Sequence, residues 1–207
     1  MPCKKRSGLM NDKRAYSYDI TTPPLCSTIV DIDISTINFS QNFTISTCQR
    51  LTIVSDTTIP LGVTFTNYGT VTYSGGSGGS LIINGSFINY GTFNNIGYQL
   101  YVFNNFFNYG IFNNSGSSSV TMAGTNSTAA TFKNTGVFNN LGDFYLLIAT
   151  YLSTFYNYSG GRFINSGTLT INSPEVFNNA NGASSCGTGT VTNTGTITGT
   201  IGTACPS

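Results

Sequence analysis

The chain has 207 residues, of which only 7% are charged, 13% are aromatic and none is histidine. An ordinary globular protein carries about 25% charged residues, while disordered chains are charged and poor in aromatics, so the low charge is no argument for disorder and points to a folded, polar but uncharged surface. The lack of histidine removes the usual general base and the commonest metal ligand, and no stretch of about eighteen apolar residues exists to span a membrane.

Residues 1–27 read as a basic arm containing Pro23 and Pro24. Within its first fourteen residues Lys4, Lys5, Arg6, Lys13 and Arg14 outweigh Asp12. The start has no apolar core of a secretory signal behind its basic residues. No basic stripe continues along the body, so docking on another protein surface is expected before nucleic acid. Residues 28–60 begin the strands, with DIDISTINFSQNFTISTC. Asp31 and Asp33 share one face by strand alternation and are read as a solvated face before a cation site.

Residues 61–207 carry the repeat. The phrase FINYGTFNNIG from Phe87 returns as FFNYGIFNNSG from Phe106 and FKNTGVFNNLG from Phe132. Aligned on F-x-N-x-G, the copies start at Phe65, Phe87, Phe106, Phe132 and Phe163, with a weaker one at Phe155 and a valine version at Val191. An irregular period of twenty-odd residues predicts the coils of a solenoid with loops of different length. A second apolar residue follows six positions on, as in Phe93, Phe112 and Phe138, giving two inward positions separated by a corner. Strand alternation is explicit in GVTFTN, SLIING and GTLTIN, and helix formers are scarce. The Asn-x-Gly pieces read as corners, where Gly and Asn tolerate positive φ.

The predicted fold is therefore all-β: a single-stranded parallel β-helix of about seven coils with an extended N-terminal arm. Coils stack about 4.8 Å apart, so equivalent residues form columns. Phe65, Phe87, Phe93, Phe106, Phe112, Phe132, Phe138 and Phe163 are expected to stack in the core, and Asn67, Asn89, Asn108, Asn134, Asn165 and Asn193 to form a corner ladder. Ionised residues would repel in such columns. From Thr57 onward only Lys133, Asp143, Arg162 and Glu175 are charged.

These N-Y-G-T-F-N-N and N-S-G-T-L-T-I copies resemble the Asn/Gly-rich right-handed β-helix repeats of surface and structural proteins of large DNA viruses and of bacterial filamentous adhesins. The resemblance covers about three quarters of the chain and implies a place in a virion shell, a fibre or a surface layer. It supplies no active site.

Cys3, Cys26, Cys48, Cys186 and Cys205 all lie toward the ends of the chain. They are expected to form disulfides there, with Cys3 or Cys26 brought to Cys186 or Cys205 of the next copy by the docked arm, and their spacing does not suit zinc. Sequons stand at Asn38, Asn42, Asn84, Asn113, Asn126 and Asn157. Asp143 and Glu175 fall on different coils, against paired-carboxylate catalysis. The reading is a non-enzymatic, cofactor-free structural protein of a virion or extracellular surface, polymerising with itself and open to glycans or other coat proteins. The alternative is a carbohydrate-binding adhesin module. Behind it stand a polysaccharide-degrading β-helix and an ice-binding array, the latter from the alternating threonines 190 to 200.

Overall fold

The computed structural model describes residues 26–34, 37–76, 78–125, 128–147 and 150–205. Within them the chain is all-β: 23 short strands wound into three parallel sheets that form the sides of a prism. Sheet I holds β2 (Phe43–Ile45), β5 (Thr64–Asn67), β8 (Ser86–Asn89), β11 (Asn105–Asn108), β14 (Thr131–Asn134), β17 (Thr154–Asn157), β20 (Val176–Asn179) and β23 (Thr196–Thr198). Sheet II holds β1 (Val30–Ile32), β3 (Gln49–Ile53), β6 (Thr70–Tyr73), β9 (Thr92–Asn95), β12 (Ile111–Asn114), β15 (Val137–Asn140), β18 (Arg162–Asn165) and β21 (Ser184–Cys186). Sheet III holds β4 (Thr57–Ile59), β7 (Ser80–Ile83), β10 (Gln99–Val102), β13 (Ser119–Met122), β16 (Asp143–Leu146), β19 (Thr168–Ile171) and β22 (Thr190–Asn193).

The chain visits sheets I, II and III in turn, which makes seven complete coils, with β1 before the first and β23 after the last. The expected parallel β-helix is thus present. Each coil has three strands where the repeat phrase suggested two inward positions and a corner. SLIING and GTLTIN, read as strands, belong to this third side; because sheet III carries mostly Leu, Ile, Val and Met at its inward positions in place of the Phe-x-Asn phrase, the phrase alone did not count it as part of the coil.

Most strands have four residues, and the second and fourth point inward while the first and third face out, as the two-residue period of a strand requires. In sheet I the second residue is phenylalanine from β2's neighbour β5 through β20: Phe65, Phe87, Phe106, Phe132, Phe155 and Phe177 stand in register. In sheet II the column is Phe93, Phe112, Phe138 and Phe163. All ten rings are fully buried. Phe87 and Phe106 stack at 4.8 Å, and each column meets the other edge-on, as Phe106 does Phe112 at 5.2 Å. Burying one such ring is worth about 1.5–3 kcal/mol.

Phe163 therefore belongs to the second column and not the first, where the motif alignment placed it. The true successor of Phe132 is Phe155, the copy that looked degenerate. Val191 is likewise in sheet III, paired with Leu169. The physical reason is that both the I–II and the II–III corners use the same phrase. Phe87-x-Asn89-x-Gly91 and Phe93-x-Asn95-x-Gly97 are consecutive corners of one coil.

Candidate functional site

At each of those corners the strand's fourth residue is an asparagine whose side chain turns inward. Asn67 Nδ2 donates to Asn89 Oδ1 at 2.7 Å, and the chain of amides continues through Asn108, Asn134, Asn157 and Asn179 at 2.7–2.8 Å. A second ladder runs Asn95, Asn114, Asn140, Asn165 at 2.7–2.8 Å. The other amide hydrogen goes to a backbone carbonyl one coil on, as from Asn89 to Ile111 at 2.9 Å and from Asn140 to Thr168 at 3.0 Å. Most of these side chains are fully buried, which is tolerable only because each amide has partners.

Four residues of the expected ladder, Asn67, Asn89, Asn108 and Asn134, are joined as expected. Asn165 belongs to the second ladder instead. Asn193 lies in sheet III, exposed, and only caps its own turn by accepting the Gly195 N–H at 3.0 Å. Asn95, Asn114, Asn140, Asn157 and Asn179 were missed. The signal for the first three was the Phe-Asn-Asn in the second half of every phrase.

The glycine that follows is required for a different reason than its freedom of φ. Among the described residues positive φ occurs at Gly62, Gly78, Gly160, Gly182, Gly187 and Gly199, and at no other residue type. The corner glycines are absent from that set. A Cβ on Gly91 would lie 2.1 Å from the Gly69 carbonyl oxygen, one on Gly110 2.1 Å from Gly91's, and one on Gly136 2.1 Å from Gly110's. Close stacking of backbone on backbone is what demands glycine at these positions.

The second ladder starts imperfectly. Beneath Asn95 stands Tyr73, and both the Tyr73 hydroxyl and Asn95 Oδ1 are buried without a hydrogen-bond partner. Burial, with Asp56 nearby, pushes the Tyr73 phenol upward. Just here, below the first amide of the column, Gly75 and Gly79 come close to the Tyr73 hydroxyl.

The outer surface is formed by the odd positions of each strand. On sheet II, Asn139 Nδ2 donates to Asn113 Oδ1 at 2.8 Å and Asn113 to Asn94 at 2.9 Å, giving a half-buried polar row. Along the I–II corner Tyr68, Tyr90 and Tyr109 stack at 4.9 Å with planes 5° and 11° apart. Between residues 57 and 207 the outward charges are one per sheet: Lys133 on sheet I, Asp143 on sheet III and Arg162 on sheet II. Lys133 lies over the Phe107 ring at 5.4 Å.

Glu175 is almost wholly buried at the III–I corner, its carboxylate accepting the Ser153 N–H. Burial pushes its carboxyl above the usual range, and the contacts from Ser153 offset this only in part. Asp31 forms a two-pronged pair with Arg50, at 2.6 and 3.0 Å, which holds its carboxyl below the usual range. That pair borders a shallow depression of about 410 Å³ lined by Asp31, Ile32, Arg50, Thr52 and Thr72. Among the described residues no three His, Cys, Asp or Glu side chains gather as a metal site.

Cys26 is bonded to Cys48 and Cys186 to Cys205. The expectation that Cys26, Cys186 or Cys205 join neighbouring copies is corrected: each pair closes within its own end of the chain, because stacking puts residues 22 and 19 apart on adjacent coils. Cys3 and the basic residues Lys4, Lys5, Arg6, Lys13 and Arg14 lie outside the described residues. Asn126 does too. Of the other sequons, Asn157 is buried in the first ladder and Asn113 bonded in the outer row. The threonines of 190–200 divide between sheet III and sheet I and so do not share one flat face.

No known protein family, no curated protein and no solved structure matches this chain.

Proposed function

We propose that the protein is a non-enzymatic structural subunit that assembles with copies of itself into a fibre, a virion coat or a surface layer. The observation that carries this is the pairing of a rod braced by two amide ladders with outer faces that each bear one ionised side chain over residues 57–207. Surfaces so nearly neutral repel one another weakly and favour lateral association. The ladders give rigidity along the rod. The basic arm is assigned the role of reaching an adjacent copy, and any covalent link between copies falls to Cys3, since the other four cysteines bond within the chain. Two disulfides suit an oxidising location such as a virion or cell exterior.

A carbohydrate-binding module is the second reading, favoured by the exposed tyrosine corner beside the amide row of sheet II. Its weakness is geometric. The tyrosines stack on one another at 4.9 Å, so the flat faces that would lie against a sugar are used within the column. For catalysis, Glu175 is sealed from solvent and Asp143 stands on a different face.

Sedimentation of the purified chain over a range of concentrations tests the proposal. Mass should rise with concentration, and the part due to neutral faces should survive a change from about 0.05 to 0.5 M salt, over which the Debye length shrinks severalfold. A strictly monomeric rod that binds defined oligosaccharides on a glycan array would replace it with the adhesin reading.

A further inference from the structure

The two ends of the rod are built differently. At the N-terminal end Ile32, Ile34, Ile37 and Phe39 pack on the core, Phe39 meets Phe43 edge-on at 5.1 Å, the Cys26–Cys48 bond ties the cap to β3's approach, and the Asp31–Arg50 pair puts charge on the edge. At the C-terminal end, among the described residues, only sheet II is closed. There Gly202 bridges Cys186, donating to Ser185 O at 2.8 Å, and Cys186–Cys205 fixes the return.

Among the described residues sheet III ends openly in β22, all four of whose residues are exposed. Val191 occupies the column of Leu169 and Phe144, which are fully buried, yet it is 39% exposed. Thr190 and Thr194 donate back to Gly167 and Ile171 at 2.9 and 2.8 Å, so the alternation of a parallel ladder directs the peptide groups of Val191 and Asn193 away from the rod. Natural edge strands are blunted by lysine, proline or bulges. Here no ionised side chain and no proline occurs between residues 176 and 205.

We propose that β22 joins two copies of the chain, pairing antiparallel with its counterpart about a twofold axis through Thr192. This rests on the reading that the protein assembles with itself, and it names the surface used. The N-terminal end is capped and charged, whereas β22 is neutral and matches itself, as a twofold interface requires. Val191 then exchanges both backbone hydrogen bonds with Asn193 of the partner subunit, Thr192 lies opposite its own counterpart on the outer face, and the open end of the core is covered.

Three variants test this by sedimentation. Val191→Pro removes only an outward N–H and keeps the bonds to β19. Thr192→Lys sets like charges opposite each other across the axis, and Thr192→Glu does the same with the opposite sign. Each variant alone should lose the dimer while keeping the β-rich circular dichroism spectrum of the parent, and an equimolar mixture of the Lys and Glu variants should regain it. Wild type that associates while all three variants associate equally overturns this interface and leaves self-assembly standing. Wild type that forms dimers alone, lost in the variants, supports the interface and argues against a polymer. Wild type that stays monomeric overturns both.

Discussion

Asparagine at a corner does three things at once: its carbonyl oxygen accepts from the coil before, its amide donates to the coil after, and its second N–H holds a backbone carbonyl. Asn108 shows all three, accepting from Asn89 at 2.8 Å and donating to Asn134 and to Val137 O at 2.7 and 3.0 Å. Leucine has nearly the same shape and none of the bonds. Asn108→Leu should therefore lower unfolding free energy by about 3 kcal/mol, since each buried partner left unpaired costs roughly 1–3 kcal/mol. Asn113→Ala, on the half-exposed outer row, should cost less than about 1 kcal/mol; denaturant titration separates the two. Glycine gives a second contrast. Gly110→Ala drives a methyl against the Gly91 carbonyl and should cost several-fold more than Gly76→Ala, where nothing lies within 4 Å; comparing melting temperatures checks this. Phe87, Asn89 and Gly91 were legible in the sequence because column stacking imposes the same residue on every coil. Phe163 and Asn165 were not placed correctly, because two corners of identical geometry select an identical phrase and the text alone does not say which corner it describes.

At the scale of elements, the ladders decide where the coil can vary. Successive corners of the first ladder are 22, 19, 26, 23 and 22 residues apart. Much of the extra length enters at the III–I corner, around 123–130 and 147–153, where no amide column would be broken. The coil from Phe87 to Asn105 is the shortest repeat, so deleting those 19 residues joins Ser86 to Phe106 in register. That deletion should keep a parallel β spectrum and melt cooperatively, whereas removing ten residues from the same start should abolish folding, because it shifts every inward side chain of the join. The III–I corner also sets a pH response. Glu175 has a folded-state pKa raised by burial, so its protonated form is favoured by the fold, and the linked stability is lost as pH rises through that value. On acidification from pH 7 toward the ordinary glutamate value of about 4.3 the melting temperature should rise, and Glu175→Gln should flatten the trend. Nothing in the sequence announced this: the burial of Glu175 follows from the coil before it, which stacks Ser153 against its carboxylate.

For the whole molecule, the low charge already visible in the sequence acquires a spatial meaning, since the outward charges of residues 57–207 are dispersed one to a face. The number of coils was legible for the same reason the columns were. The cysteine pairing was not, because their clustering near the chain ends fits closure within one copy as well as linkage between two, and only the adjacency of coils distinguishes them. The central claim is that this rod builds a larger object out of copies of itself. Negative-stain electron microscopy of the full chain at increasing concentration tests it most directly. The account predicts ordered filaments or sheets whose repeat matches the rod. Separate single rods at every concentration would contradict it.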